Sequence, residues 1–116
     1  MIFTDKKLGS LKKRAEFLFV REGRYAAKGG IVIQMRENPA HKTIRVGFTA
    51  TKKIGNAVTR NLAKRRLRQI ARAVLPQLGL VGHDYVFIAR DSTAARNYEI
   101  LIQDAKKALK TLSKPK

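Results

Sequence analysis

Apolar and polar residues recur along this chain with two different periods, which predict its helices and strands. Helical spacing predicts a first helix over residues 12–22, ended by Gly23, and a second over residues 56–75, stopped by Pro76. A third helix should begin near Asn97, because an apolar stripe with helical spacing follows, formed by Tyr98, Leu101, Ile102, Ala105, Leu109 and Leu112.

Three shorter stretches have the pattern of strands. Residues 31–36 and 43–51 alternate between apolar and more polar side chains, and the turn residues between them predict an antiparallel hairpin. Residues 85–89 form an apolar run, typical of a strand that is buried on both faces and lies centrally in a sheet. The predicted order is helix, strand, strand, helix, strand, helix, within one domain over residues 1–116.

The second predicted helix has two contrasting faces. On a wheel with about 100° per residue, one narrow apolar sector should face the core and contains Ala63, Leu67, Ile70 and Val74. The opposite sector, which we call the basic strip, consists of Asn61, Lys64, Arg65, Arg68 and Arg72, with Arg60 at its edge. Guanidinium groups bind phosphate oxygens through paired hydrogen bonds and lysines add point charge, so this strip suits phosphates.

The charge of the chain strengthens that interpretation. The net charge is +18, and no acidic residue occurs between Glu37 and Asp84, a stretch that carries ten Lys or Arg residues. Most basic helix faces are simply solvated, but a solvated face normally mixes both signs of charge. A face that repels itself favours a polyanionic partner, and a nucleic acid is the simplest one.

Several other classes of function are excluded or disfavoured. The chain has no cysteine, which rules out disulfides and thiol enzymes, and its two histidines, His41 and His83, cannot build a metal site by themselves. No Ser-His-carboxylate or paired-carboxylate motif stands out. No apolar run is long enough to span a membrane and the N-terminus lacks the apolar segment of a signal peptide, so we expect a cytoplasmic protein.

The most specific motif covers residues 52–68, with the sequence KKIGNAVTRNLAKRRLR. It resembles the pattern of the protein subunit of bacterial ribonuclease P, Lys-Lys-x-Gly-Asn-Ala-Val-x-Arg-Asn-Arg followed by Lys-Arg and a further Arg. The likeness extends upstream through residues 45–48 and downstream to residues 88–90. The third position of the Arg-Asn-Arg triplet is Leu62 here, which we expect to remove one peripheral RNA contact.

The resemblance implies a fold and an activity. The fold would be an α+β two-layer sandwich with a mixed sheet of about four strands and a left-handed β-α-β crossover, against the general rule of handedness. The activity would be that of a ribonucleoprotein that removes the 5′ leader of precursor tRNA. The RNA subunit would hydrolyse the phosphodiester with magnesium, and the protein would hold no catalytic residue and no metal. Its partners would be the catalytic RNA and precursor tRNA, with no membrane and no further protein required.

The resemblance also implies two sets of binding residues. Those expected to bind the catalytic RNA are Lys52, Lys53, Asn56, Arg60, Asn61, Lys64, Arg65 and Arg68. Those expected to line a cleft for the leader are Phe17, Val32, Gln34, Thr49 and Thr51, of which the two strand stretches place all but Phe17 off the core face. Phe17 is equally compatible with a core position, and Asn56 with an N-cap.

Two other functions fit the composition. A basic RNA-binding protein of the ribosomal type would have the same size and charge, and a non-specific DNA-compacting protein would bind duplex DNA as tightly as structured RNA. Only the long motif over residues 52–68 favours the ribonuclease P interpretation over these two.

Overall fold

Five strands form one mixed sheet in the computed structural model, which describes residues 8–114. The strands are β1 (Leu8–Ser10), β2 (Arg24–Lys28), β3 (Ile31–Glu37), β4 (Ile44–Thr49) and β5 (His83–Ala89). The helices are α1 (Arg14–Arg21), α2 (Ala57–Leu78) and α3 (Tyr98–Ser113), with a short 3-10 turn over Lys52–Ile54. None of the helices in this part of the chain is long and apolar enough to cross a membrane.

The strand order across the sheet is β1-β4-β5-β3-β2. β5 lies at the centre, parallel to β4 and antiparallel to β3, which confirms the central position that its apolar run predicts. The predicted hairpin of β3 with β4 is wrong, because β5 lies between them. β3 instead forms a hairpin with β2 through Gly29 and Gly30, where Gly29 has a φ of 51°.

The sheet has one strand more than the four or so predicted, and the predicted element order lacks β1 and β2. β1 has three residues, too few for a period to be recognised. β2 has the sequence Arg-Tyr-Ala-Ala-Lys, in which alanine and lysine are poor strand formers. Both strands lie at the edges of the sheet, where pairing with a neighbour compensates for weak local preference.

The main core lies between one face of the sheet and the helices α2 and α3, as an α+β sandwich requires. It contains Ile31 and Ile33 of β3, Phe87 of β5, Leu67 of α2 and Leu101 of α3, all fully buried. The helix α1 packs on the opposite face over a smaller cluster of Leu11, Val20 and Val86. The connection from β4 through α2 to β5 joins parallel neighbours, as predicted, and its hand stays a prediction.

Both ends of α2 differ slightly from the sequence-based bounds. Asn56 is the N-cap, with its side-chain oxygen accepting a hydrogen bond from the backbone N–H of Thr59 at 2.9 Å. Pro76 does not stop the helix, which continues to Leu78 and ends at Gly79. A proline lacks one backbone donor, and so late in a helix that loss affects few turns.

Candidate nucleic-acid interface

The basic strip lies on the solvent side of α2. Ala63, Leu67, Ile70 and Val74 on the other side are at most 1% exposed, which confirms the predicted core sector. Most of the strip is exposed, and Arg60 and Lys64 are partly buried. The 3-10 turn before the helix adds Lys52 and Lys53, both exposed. The strip and the turn therefore present cations from Lys52, in the 3-10 turn, to Arg72, in the C-terminal half of α2.

No carboxylate neutralises this surface within residues 8–114. The ion pairs in that range join Arg45 to Glu16 and Asp84, and Arg96 to Asp104. Arg66 of α2 differs from the cations of this surface, because its side chain binds the backbone of the same chain. Its guanidinium donates to the carbonyl oxygens of Thr93 and Ala94 at 2.8 and 2.9 Å. The cations of the strip, to which Arg66 does not belong, form no ion pair among the described residues and are available for phosphates.

A shallow groove runs along the strip, and its walls combine charge with apolar surface. Val58 and Leu62, one helical turn apart, are 77% and 36% exposed. They share the groove with Asn61, Lys64, Arg65 and Arg68. Leu62, which replaces the third arginine of the family triplet, therefore lies in the wall of the groove beside the cations.

A separate cleft lies on the opposite face of the sheet, between α1, β3, β4 and β5. Four of the five residues predicted to bind the leader, Phe17, Gln34, Thr49 and Thr51, line this one cavity of about 380 Å³. Val32 is on the same face, paired with Ile88 across the sheet, but does not form the wall. The structure thus brings together most of a set drawn from three elements distant in sequence.

The cleft also contains residues that the sequence analysis missed. Arg14, Leu18 and Arg21 of α1 complete one wall, and Val86 and Ile88 of β5 form the floor. Arg14 and Arg21 are two helical turns apart, with Phe17 and Leu18 between them, so helical spacing could have placed these four side chains on one side of α1. The two arginines give an otherwise mostly apolar cleft a positive rim.

A buried ion network holds α1 against the sheet beside this cleft. Arg45 of β4 donates to the carboxylate of Asp84 at 2.9 and 3.0 Å and to Glu16 of α1 at 3.1 Å. Glu16 also accepts the backbone N–H groups of Lys12 and Lys13, which caps the helix. The network therefore fixes both the start of α1 and its distance from β4.

The carboxylates of this network are held in their charged form. Burial raises the pKa of Asp84, but hydrogen bonds from Arg45 and Asn38 outweigh it, so the pKa lies below its ordinary value. The pKa of Glu16 is lowered by the backbone N–H groups of Lys13 and Lys12, with Arg45 adding to the effect. Both groups thus favour the folded state at neutral pH.

Phe17 packs against the sheet and also lines the cleft, and its contact with the leader stays a prediction. It is partly buried, and its ring covers the backbone of Gly47, where a Cβ atom would lie 2.6 Å from its Cζ atom. The same ring lines the cleft. Glycine at position 47 therefore permits α1 to approach β4 closely enough for Phe17 to form a cleft wall.

The residues described here contain no group of three or more His, Asp or Glu side chains suited to a metal ion. The carboxylates of Glu16 and Asp84 are paired with Arg45. The cations of the strip and of the cleft rim suit phosphates, and the apolar side chains of the cleft suit ribose or bases.

Comparisons with known proteins point to one family. The family model for Ribonuclease P matches residues 6–113. The ribonuclease P protein component of Caulobacter vibrioides is 50% identical over 108 residues, which cover 92% of this chain and 72% of that protein. The corresponding protein of Ruegeria pomeroyi is 49% identical over 91% of this chain and 87% of its own length.

Solved structures give the same result for the fold. The RNase P protein of Staphylococcus aureus superposes with a TM-score of 0.78 and 26% identity, over 92% of this chain and 97% of that one. That of Thermotoga maritima superposes with a TM-score of 0.75 and 25% identity, over 90% and 98% of the two chains.

Proposed function

The chain belongs to the ribonuclease P protein family, and we propose that its two surfaces bind two different RNAs during removal of the 5′ leader from precursor tRNA. The chain is part of an endoribonuclease holoenzyme. In the proposal, the catalytic RNA subunit performs the hydrolysis with magnesium, and the protein holds the RNAs in place. We expect the assembly to act in the cytoplasm.

The observation that carries the proposal is the uncompensated charge of α2. Arg65 and Arg68 are exposed and, within residues 8–114, have no carboxylate partner. Bringing such a strip onto a folded RNA releases condensed counterions, which makes binding favourable at low salt. The residues assigned to the catalytic RNA are Lys52, Lys53, Asn56, Arg60, Asn61, Lys64, Arg65 and Arg68.

The cleft suits a single-stranded leader. Phe17 and Ile88 offer apolar surface to bases, and Arg14 and Arg21 at the rim offer partners to the backbone. Gln34, Thr49 and Thr51 add hydrogen-bonding groups, and Val32 extends the same face of the sheet. Because the cleft and the strip lie on different sides of the molecule, the two RNAs need not compete for one surface.

This arrangement predicts how the protein promotes the reaction. Catalytic RNA and precursor tRNA repel each other through their phosphates, and magnesium at the RNA active site must overcome part of that repulsion. A protein of net charge +18 placed between them screens the repulsion. Substrate and magnesium should then bind to the RNA at lower concentrations than they do without the protein.

The test is cleavage of precursor tRNA by the catalytic RNA of the same organism at low magnesium, with and without this protein. We expect cleavage to require the protein there and to become independent of it at high magnesium. Absence of stimulation at any magnesium concentration would overturn the proposal.

A matched substrate separates the two surfaces. Precursor tRNA with a leader too short to reach the cleft should bind the holoenzyme more weakly than one with a long leader. Assembly of the protein with the catalytic RNA should be the same in both experiments. Equal binding of the two substrates would contradict leader binding by the cleft, but it would not affect the proposed binding of the catalytic RNA by the strip.

A further inference from the structure

A second pocket opens at the free edge of β4, between β1 and α2. β1 pairs with β4 from Leu8 opposite Ile44 to Ser10 opposite Val46, and the N–H of Leu11 donates to the carbonyl of Val46. The chain then turns away into α1. No described strand pairs with the outer edge of β4 beyond this point, and a pocket of about 360 Å³ remains there.

The walls of this pocket combine aromatic rings with guanidinium groups. Phe17 and Phe48 contribute rings, and Arg68 and Arg72 approach from α2. The guanidinium carbon of Arg68 lies 5.8 Å from the ring centroid of Phe48. The Phe48 ring is in turn oriented by an edge contact with Phe87, with centroids 6.1 Å apart. Neither arginine pairs with a carboxylate in the described residues.

We propose that this pocket binds one unpaired nucleobase of the catalytic RNA, with Arg72 holding the adjacent phosphate. Every base has a π face that stacks on aromatic rings and guanidinium planes, and proteins recognise unpaired RNA bases in this way. The pocket volume is at the small end of the range of about 300–1,000 Å³ found for ligand sites. The proposal rests on the function proposed above and names a specific contact for it.

Its position relative to the strip favours the catalytic RNA as the source of that base. Arg68 belongs to both the basic strip and the pocket wall, so an RNA backbone on the strip passes the mouth of the pocket. Phe17 forms a wall of this pocket and of the cleft on the other face. Its ring therefore lies between the site proposed for the catalytic RNA and the site proposed for the leader.

The proposal can be tested with a substitution that fills the pocket and leaves every cation of the strip in place. Ser10 is exposed and lines the pocket, and its register with Val46 places its side chain on the sheet face that α2 covers. Ser10→Phe should block the pocket and weaken binding of the catalytic RNA about tenfold, the effect expected from losing one stacked base. Ser113→Phe, at the exposed end of α3, is the control and should bind as the wild type does.

The salt dependence of binding distinguishes a lost base from a lost phosphate. Ser10→Phe should lower the affinity at every salt concentration and leave the slope of log K against log salt unchanged, because all cations remain. Phe48→Leu keeps an apolar side chain but removes the ring, and it should have the same effect. It provides the test if Ser10→Phe does not fold. If either variant folds and binds the catalytic RNA with unchanged affinity, the pocket does not bind a base and the proposal is wrong.

Ultraviolet crosslinking of the wild-type complex identifies the contact directly. We expect a crosslink from one nucleotide of the catalytic RNA to Phe17 or Phe48, and its loss in Ser10→Phe. Crosslinks confined to Lys64 and the arginines of α2 would contradict base binding in the pocket while supporting the strip. Failure of the wild type to bind the catalytic RNA at all would instead count against the proposed function.

Discussion

Leu62 is the residue at which the basic helix departs from the motif that it resembles. It lies in the wall of the groove on α2, beside Asn61 and Arg65, at the position where the family pattern has arginine. Its neighbour Val58 is even more exposed. The groove therefore has an apolar wall at a point where the pattern that the chain resembles has charge.

Replacing Leu62 by arginine should add one phosphate contact. We expect Leu62→Arg to increase the magnitude of the salt slope of catalytic-RNA binding by about one, because each phosphate contact releases about one counterion. Gln103→Arg adds the same charge on the exposed side of α3 and should leave the slope unchanged. The account of the groove fails if both variants change the slope equally, since the effect would then come from net charge alone.

At the scale of elements, the position of α1 determines whether the cleft exists. Its contacts to the sheet include the Glu16–Arg45–Asp84 network, the close approach of Phe17 to Gly47 and the packing of Val20 on Val86. Arg45 donates to both carboxylates, so loss of Asp84 would leave a largely buried cation without its main partner.

Asp84→Asn should therefore lower the free energy of unfolding at pH 7 by about 3 kcal/mol, as expected when one partner of a buried ion pair is removed. The folded-state pKa values of Asp84 and Glu16 are lowered, so their stabilisation is complete above their unfolded pKa values of about 4 and is lost as pH falls below that. Urea unfolding from pH 7 to pH 2 should show this loss, with a shallower dependence in Asp84→Asn.

The control for this measurement is Asp91→Asn, at an exposed position after β5. Its unfolding free energy should match that of the wild type at pH 7. If Asp84→Asn were as stable as Asp91→Asn at pH 7, the network could not be what holds α1 in place.

The sequence predicted elements better than it predicted their pairing. The faces of α2 and the buried run of β5 follow from local periodicity, and both were correct. Pairing of β3 with β4 was wrong because the insertion of β5 between them depends on contacts distant in the chain. The two-residue Gly29-Gly30 turn was the available signal for the hairpin of β2 with β3.

The candidate site was predictable to a similar degree. The residues of the strip could be predicted from a single helix wheel. The residues assigned to the leader could be predicted from the alternation along two strands together with the family resemblance. The pocket at the edge of β4 was not predictable, since its walls come from β1, α1, β4 and α2. The pairing of Arg45 with Asp84 could not be predicted either. The two residues are brought opposite each other only by the register of β4 with β5, which the sequence does not show.

At the scale of the whole molecule, charged residues fall into two groups, those in ion pairs and those exposed on α2. The acids of the Arg45 and Arg96 pairs stabilise the fold, whereas the cations of α2 face outward without acids among the described residues. One face of the sheet supports the strip through α2, and the other forms the floor of the cleft beside α1. The fold thereby holds the two surfaces proposed to bind RNA on opposite sides of one sheet.

The most direct test of this account is the affinity of the protein for its catalytic RNA as a function of salt. Arg65→Ala combined with Arg68→Ala should weaken binding steeply at raised salt and reduce the magnitude of the slope by about two. The pair Lys107→Ala and Lys110→Ala removes equal charge from exposed positions on α3 and should have little effect. Wild-type affinity and slope in the α2 double variant would contradict the interface.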